Sequence, residues 1–472
     1  MKAEEINDLI KYVQSNNSTL EFNLKLFEIR EGNLVKYLEE ALIKQIDAKS
    51  VNVALNRKSP INILPKIVDK LSKVYTGGCV RKSSDEQDQA LVGYYEKALN
   101  INTKLTEAVK NFNTYKNFWL EIYIDGAEVK VRPIPSYEII AYSETRDDKI
   151  SHVIRCMGDH TDQGGKTTKK YWIYSETEFI SVTADGKMVE QDMIENGGTN
   201  PFGIIPFVYI SNSTYLLTPI PDYDLFCMTL LVPILFTDLN FASMFSHHGI
   251  IYTIDVNAEN LKISPDTFWN LKTEIDGKTP SVGILRPETN ADNDLNLLRQ
   301  QLATWLYTKN IKPSGLSNLT SENFVSGFAL LISNLDTVDY TIELQNMMKN
   351  VEEKELWKKL ATIHNYAWNA GMLFNGLIPF SEDVEVTVEF PEIKVIEDRT
   401  TTIANVKAEL EAGLTSKKRA LKRLNPKMTD LEVDELLEEI NEEKEYASKE
   451  SNEIQSGSSD EPGQPDTPSD SK

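Results

Sequence analysis

Four short segments hold the residue types that could do chemistry. Gly164-Gly165-Lys166-Thr167 follows an apolar strand and offers the lysine and hydroxyl of a phosphate-binding loop. Such a loop needs four residues between its glycines, so that backbone amides can curl around the phosphate. Here the upstream glycine, Gly158, is six residues away, and Tyr171 onward has the pattern of a strand. With no helix behind the amides there is no dipole to hold an anion, and the segment reads as a hairpin loop. His247 and His248, with Asp238 and Asp255 nearby, are metal-ligand types. Adjacent side chains on a helix diverge by about 100°, and neither HExxH nor cysteine-rich spacing is present. The pair reads as a helix end, where the negative end of the dipole suits histidine. His160 and His364 have no nucleophile at a recognisable spacing, so the sequence defines no triad. Lys417, Lys418, Arg419, Lys422 and Arg423 form the sharpest basic cluster. It fits contact with DNA or an acidic partner, but local neutralisation of the acidic helix after Thr429 is the favoured reading.

Composition bounds the class. At 472 residues the chain is too long for one core and points to about three domains. The 40% hydrophobic content suffices for real cores. Of the formal charge of −22, residues 430–472 carry −12 from 15 acidic and 3 basic residues, and the rest is mildly acidic. Duplex DNA is gripped by clustered lysine and arginine, so a diffuse acidic surface suits one that DNA slides past. With 72 carboxylates, paired acids arise everywhere by chance and specify no hydrolase. Cys79, Cys156 and Cys227 are widely spaced and in no CxxC pair, which reads as reduced thiols in a cytosolic compartment. Residues 1–7 are polar and acidic, with no signal pattern. The longest apolar run, residues 225–236, covers 12 residues. About 20 are needed to span a bilayer, so no membrane is expected and the run belongs in a core or between subunits.

The elements that must position these residues follow from hydrophobic period. Residues 1–116 read mainly as helices: Leu34, Leu38, Leu42 and Ile46 share a face, as do Ile63, Ile67, Val68, Leu71, Val74 and Tyr75, ending at Gly77-Gly78. From Phe118 the pattern changes. Residues 118–124 and 128–134 flank Asp125-Gly126, a hairpin signal, and residues 178–183 and 187–191 flank Asp185-Gly186. Further strands are expected at 137–142, 150–156, 171–174 and 206–210. Tyr223, Phe226, Leu230 and Ile234 then trace a helix that Pro233 should kink. Residues 250–292 form a small mixed insertion, with a short helix from Ser264-Pro265 to Ile275. Leu295, Leu298, Leu302, Trp305 and Leu306 mark a second helix. Two helices thus bracket a compact insertion. After Ser326-Gly327 comes an apolar run, a polar break at Asp336, Thr337, Val338, Asp339 and Tyr340, and a long helix bearing Leu356, Leu360, Ile363 and Ala367. Residues 384–390 alternate as a strand. Ile403, Val406 and Leu410 end at Gly413, Thr415 or Ser416 caps the basic helix, and Thr429 with Glu432 matches a capping box. From Gln455 onward the composition is that of disorder.

This order of parts resembles the portal proteins of tailed bacteriophages. The likeness covers roughly residues 55–445. It rests on the helix running into Gly77-Gly78-Cys79-Val80, on the hairpin at 119–140 with Pro133-Ile134-Pro135, and on Asn200-Pro201-Phe202-Gly203-Ile204-Ile205-Pro206-Phe207. The helix at 222–248, the segment Ser326-Gly327-Phe328-Ala329-Leu330, and the restart at Gly413-Leu414-Thr415-Ser416 complete it. Residues 213–219 depart from the family's acidic, glycine-rich link.

The resemblance implies an α+β, mainly helical portal fold with wing, stem, clip and crown, and a β-rich middle of the wing. Residues 1–221 would be wing, 222–249 and 294–309 stem, 250–293 clip, 310–394 wing return, 395–446 crown and 447–472 a disordered acidic tail. It implies a homododecameric ring at one capsid vertex of the virion, assembled in the host cytoplasm, through which double-stranded DNA passes without sequence specificity. Implied partners are the terminase large subunit, head-tail adaptors, and major capsid and scaffold proteins. The clip residues Asp255, Lys262, Phe268, Trp269 and Lys272 would meet partners. Asp336 to Tyr340 would project into the channel or be an ordinary surface turn. No catalytic residue, metal or cofactor is implied. The rival readings are a helical adaptor or scaffold without a channel, and a nucleotide- or metal-dependent transferase using the Lys166 loop or a histidine site.

Overall fold

The computed structural model describes residues 1–47, 50–144, 149–162, 164–193, 197–213, 217–248, 250–254, 281–285, 291–309, 312–313, 335–336, 338–373, 376–391, 399–425, 433–434 and 436–440. The chain divides into two units, Met1–Ile393 and Lys394–Lys472.

Helices α1 (Ala3–Ser15), α2 (Asn17–Arg30), α3 (Leu34–Gln45), α4 (Val51–Asn56) and α5 (Leu64–Leu71) open the first unit. Spacings of three and four return side chains to one face, and those faces are buried: Ile6, Leu9, Ile10 and Val13 on α1, and Leu64, Ile67, Val68 and Leu71 on α5. A 3-10 turn, Lys73–Tyr75, keeps Val74 and Tyr75 buried before the glycine pair, where Gly78 takes φ 76. The helical reading missed strand β1 (Val80–Ser83), which pairs antiparallel with residues 386–389. Asp85 then caps α6 (Glu86–Ala98) by accepting the N–H groups of Gln87 and Asp88, and α7 (Ile101–Tyr115) follows.

Strands β2 (Asn117–Asp125) and β3 (Glu128–Ile134) form the expected hairpin, with Gly126 at φ 63. Strands β4 (Ile139–Tyr142), β5 (His152–Thr161), β6 (Thr167–Tyr174) and β7 (Phe179–Thr183) make a four-stranded antiparallel sheet in sequence order. The hairpin expected at Asp185-Gly186 is reduced to a bridge, Val182 with Met188, because residues 190–193 turn into 3-10 helix. Strand β8 (Phe207–Ser211) adds to β2 on the side away from β3. Helix α1 lies on the four-stranded sheet, its buried face meeting Ile140, Ile154, Tyr171, Ile173, Ile180 and Val182.

Helix α8 (Tyr223–His248) runs through Pro233 without interruption. Strands β9 (Ile250–Ile254) and β10 (Ser281–Leu285) pair, and α9 (Ala291–Thr308) follows. Short β11 (Lys312–Pro313) and β12 (Leu335–Asp336) pair in turn. Helix α10 (Val338–Val351) passes through a π-helical turn at Glu352–Leu356 into α11 (Trp357–Asn369). Leu356, Leu360, Ile363 and Ala367 are all buried there, as their spacing predicts, in one core with α7, β2, β3 and β13 (Val386–Glu389). In the second unit, α12 (Arg399–Glu411) ends before Gly413, at φ 71, and Ser416 caps α13 (Lys417–Leu424). The whole is a mixed fold with small antiparallel sheets, consistent with the α+β expectation. Residues 255–280, 314–334, 426–432 and 441–472 lie outside the described residues, and with them the helix at 264–275, Ser326 to Leu330, the capping box and the acidic tail.

Candidate functional site

The residue groups suspected of chemistry are engaged in structure. The Gly164-Gly165 loop joins β5 to β6, and Asp162 Oδ1 accepts the N–H groups of Gly164 and Lys166, both at 2.9 Å. The chain's own carboxylate therefore fills the position an anion would need. Lys166 Nζ reaches Asp185 at 2.6 Å instead. On α11, His364 is fully buried; its Nε2–H donates to the Ile378 carbonyl at 2.8 Å, and Nδ1 accepts the Tyr95 hydroxyl at 2.6 Å. Burial pushes its pKa down, so the ring is neutral and holds α6 to α11. His160 lies on β5 opposite Thr168. His247 and His248 end α8, and their side chains lie outside the described residues.

The remaining candidates divide. Lys418 pairs with Asp434 at 2.6 Å and Arg423 with Glu409 at 2.8 Å, so these two basic residues neutralise neighbours. Lys417, Arg419 and Lys422 are exposed on the same helix. Asp336 is in β12, opposite Lys312, while Val338, Asp339 and Tyr340 already belong to the first turn of α10; Thr337 lies outside the described residues. Tyr340 donates its hydroxyl to Asn113 at 2.6 Å, and burial pushes its pKa up to about 12. Asp255, Lys262, Phe268, Trp269 and Lys272 lie outside the described residues, beyond the β9 strand end.

The junction that sequence reasoning missed centres on Asp222. Its carboxylate, 6% exposed, accepts Lys116 Nζ at 2.7 Å and Lys309 Nζ at 2.8 Å, and its Oδ1 accepts the Leu225 N–H at 3.1 Å. One side chain thus caps α8 and ties it to the ends of α7 and α9. Burial alone would raise its pKa; the two ammonium groups outweigh that and hold it below the usual range. The acid was visible as a flank of the apolar run, but partners 106 residues upstream and 87 downstream leave no local signal. The same is true of Glu352, buried in the π turn, which accepts Tyr75 OH at 2.7 Å and Arg81 Nε at 2.5 Å; Arg81 also reaches Glu96 at 2.6 Å.

Helix α8 corrects the length argument. The 12-residue run sits on a 26-residue helix, and Tyr223–Ser243 is long and apolar enough to cross a membrane by length and composition. Burial has to decide its surroundings. Leu225, Thr229, Leu230, Val232 and Thr237 are buried, in a cluster with Leu26, Tyr37, Leu298, Leu302 and Leu306. Thr237 further accepts the Ser59 N–H at 3.1 Å and donates to the Pro233 carbonyl at 2.7 Å. Tyr223 and Cys227 are exposed, and Phe226, Met228, Leu231, Ile234, Leu235 and Phe236 only partly covered.

Among the described residues, α8 is thus an apolar helix left partly covered, and its buried polar groups are bonded within the chain. The sequence matches the family described as "Phage portal protein, SPP1 Gp6-like" over residues 4–450. The chain belongs to that family, which is structural, and its role is that of a portal protein. No curated protein matches the sequence. Among solved structures, a chain of the "Neck of empty GTA particle computed with C6 symmetry" is similar at 10% identity and a TM-score of 0.33, over 78% of this chain and 91% of that one.

Proposed function

We propose that twelve copies of the chain close into a ring at one capsid vertex, through which double-stranded DNA is packaged and later ejected. The carrying observation is α8, 26 residues long, on which Tyr223 and Cys227 are exposed and Phe226, Met228, Leu231, Ile234, Leu235 and Phe236 are only partly covered by the described residues. A partly covered apolar face needs a partner, and in a ring the next copy supplies it through a heterologous contact. On this reading α8 and α9 are stem (222–249 and 294–309), the β9–β10 insertion is clip (250–293), residues 1–221 and 310–394 are wing, and 395–446 crown. The clip docks the terminase large subunit and then head-tail adaptors, through Asp255, Lys262, Phe268, Trp269 and Lys272. Residues 336–340 border the channel, and the crown helix α13 faces the capsid interior, where major capsid and scaffold proteins assemble.

The chain makes and breaks no bonds; nucleotide hydrolysis belongs to the terminase. Net acidity gives weak phosphate grip, so DNA moves when driven. Assembly takes place in the host cytoplasm and the product resides in the virion. Sedimentation of the purified protein tests the reading: a species near twelve times the 53.5 kDa chain mass is expected. Stable monomers at every concentration and salt would overturn it.

A further inference from the structure

Where α1 crosses the four-stranded sheet, Glu5 from the first helical turn, Glu144 after β4 and His152 at the start of β5 converge. One donor atom of each lies within 4.8 Å of the others. The histidine is 5% exposed. Ser151 Oγ sits 3.1 Å from its Nδ1, with Glu144 Oε1 at 3.9 Å, which leaves Nε2 facing Glu5 Oε1 at 3.8 Å. That separation is too long for a hydrogen bond. Two ligands on one tetrahedral ion with bonds of about 2.0–2.1 Å stand about 3.4 Å apart, so a small closing of this pair would seat a cation.

The surroundings fit a cation. Glu5 Oε2 is occupied by the Lys2 N–H at 3.2 Å, so Oε1 is the oxygen turned to the ring. Glu178, another nearby carboxylate, is held by the Met1 amine at 2.5 Å. Glu144 is exposed enough to swing inward, and a cavity of about 340 Å³ lined by Lys2, Glu4, Glu5, Asp8 and Glu144 opens beside the two carboxylates. Imidazole with carboxylates suits zinc or manganese, whereas calcium and magnesium take oxygen donors.

We propose that Glu5, Glu144 and His152 bind one divalent transition cation, zinc being the best match, and that the ion clamps α1 to the sheet. The test titrates zinc chloride into the chelator-stripped full chain by calorimetry, with cobalt chloride in parallel to read ligand-field absorption. One ion per chain is expected. Glu144→Gln, at an exposed side chain that leaves folding intact, and His152→Ala should each weaken binding at least roughly tenfold, the loss that even outer-sphere changes produce. Glu382→Gln, on a separate acidic surface, should bind as the parent does. The absence of saturable uptake, or uptake that both site variants leave unchanged, would overturn the assignment.

Discussion

Replacing Asp222 by asparagine isolates one charge at the point where three helices meet. Asparagine keeps an Oδ1 acceptor for the Leu225 N–H, so the cap at the start of α8 survives. What disappears is the counterion of Lys116 and Lys309, at 2.7 and 2.8 Å. Each contact is worth about 6 kcal/mol in gross Coulomb terms at an effective dielectric of 20, and desolvation of the carboxylate opposes most of it. Removing one partner of a buried pair costs about 3–5 kcal/mol. The lysine side chains are 27% and 19% exposed and regain some hydration, so the expected loss is about 2–4 kcal/mol. In a unit spanning Met1–Ile393 that lowers the melting midpoint by roughly 2–5 °C. The assay is thermal unfolding of parent, Asp222→Asn, Lys309→Met and the double variant between pH 5 and 8. A carboxylate with a depressed pKa contributes its full stability above the unfolded value of about 3.9, and loses it as pH falls through the folded value. The gap between parent and Asp222→Asn should therefore be constant over that range and close only below about pH 4. The double variant should recover part of the loss, since one uncompensated ammonium is gone. An Asp222→Asn midpoint equal to the parent's, or no recovery in the double variant, would refute the reasoning.

Three further outcomes follow from the same geometry. Glu352→Gln leaves Arg81 with Glu96 alone and should destabilise the first unit by about 3–5 kcal/mol in denaturant unfolding. Thr237→Val strands the Ser59 N–H against α8 and should cost about 1–3 kcal/mol, with faster hydrogen exchange at Ser59. The neutral, buried His364 makes stability fall as pH drops from its unfolded value of about 6.5 toward the depressed folded one; between pH 7.5 and 5.5 that dependence should be shallower in His364→Gln.

Much of the fold was legible because it is written in local period. The Asp125-Gly126 hairpin, the face shared by Ile63, Ile67, Val68 and Leu71, and the four buried positions from Leu356 to Ala367 all needed only spacing to be read. The loop at Lys166 was legible too, since the glycine spacing already argued against phosphate. Strand β1 was not, because Val80–Ser83 has no alternation and becomes a strand only by pairing with residues 386–389. The Asp222 and Glu352 clusters were invisible for the same reason: their partners lie far apart in sequence and are chosen by packing. The extent of α8 matches the helix expected at 222–248; the 12-residue run understated only its apolar length, because polar Thr237, Asp238 and Asn240 interrupt the run without breaking the helix.

A portal role requires that the chain close on itself around a hole. Electron microscopy of the purified full-length protein, with class averages taken along the symmetry axis, measures this most directly. Annular particles with a central channel and twelvefold symmetry are predicted. Fields holding only single chains, open filaments or solid particles would contradict it.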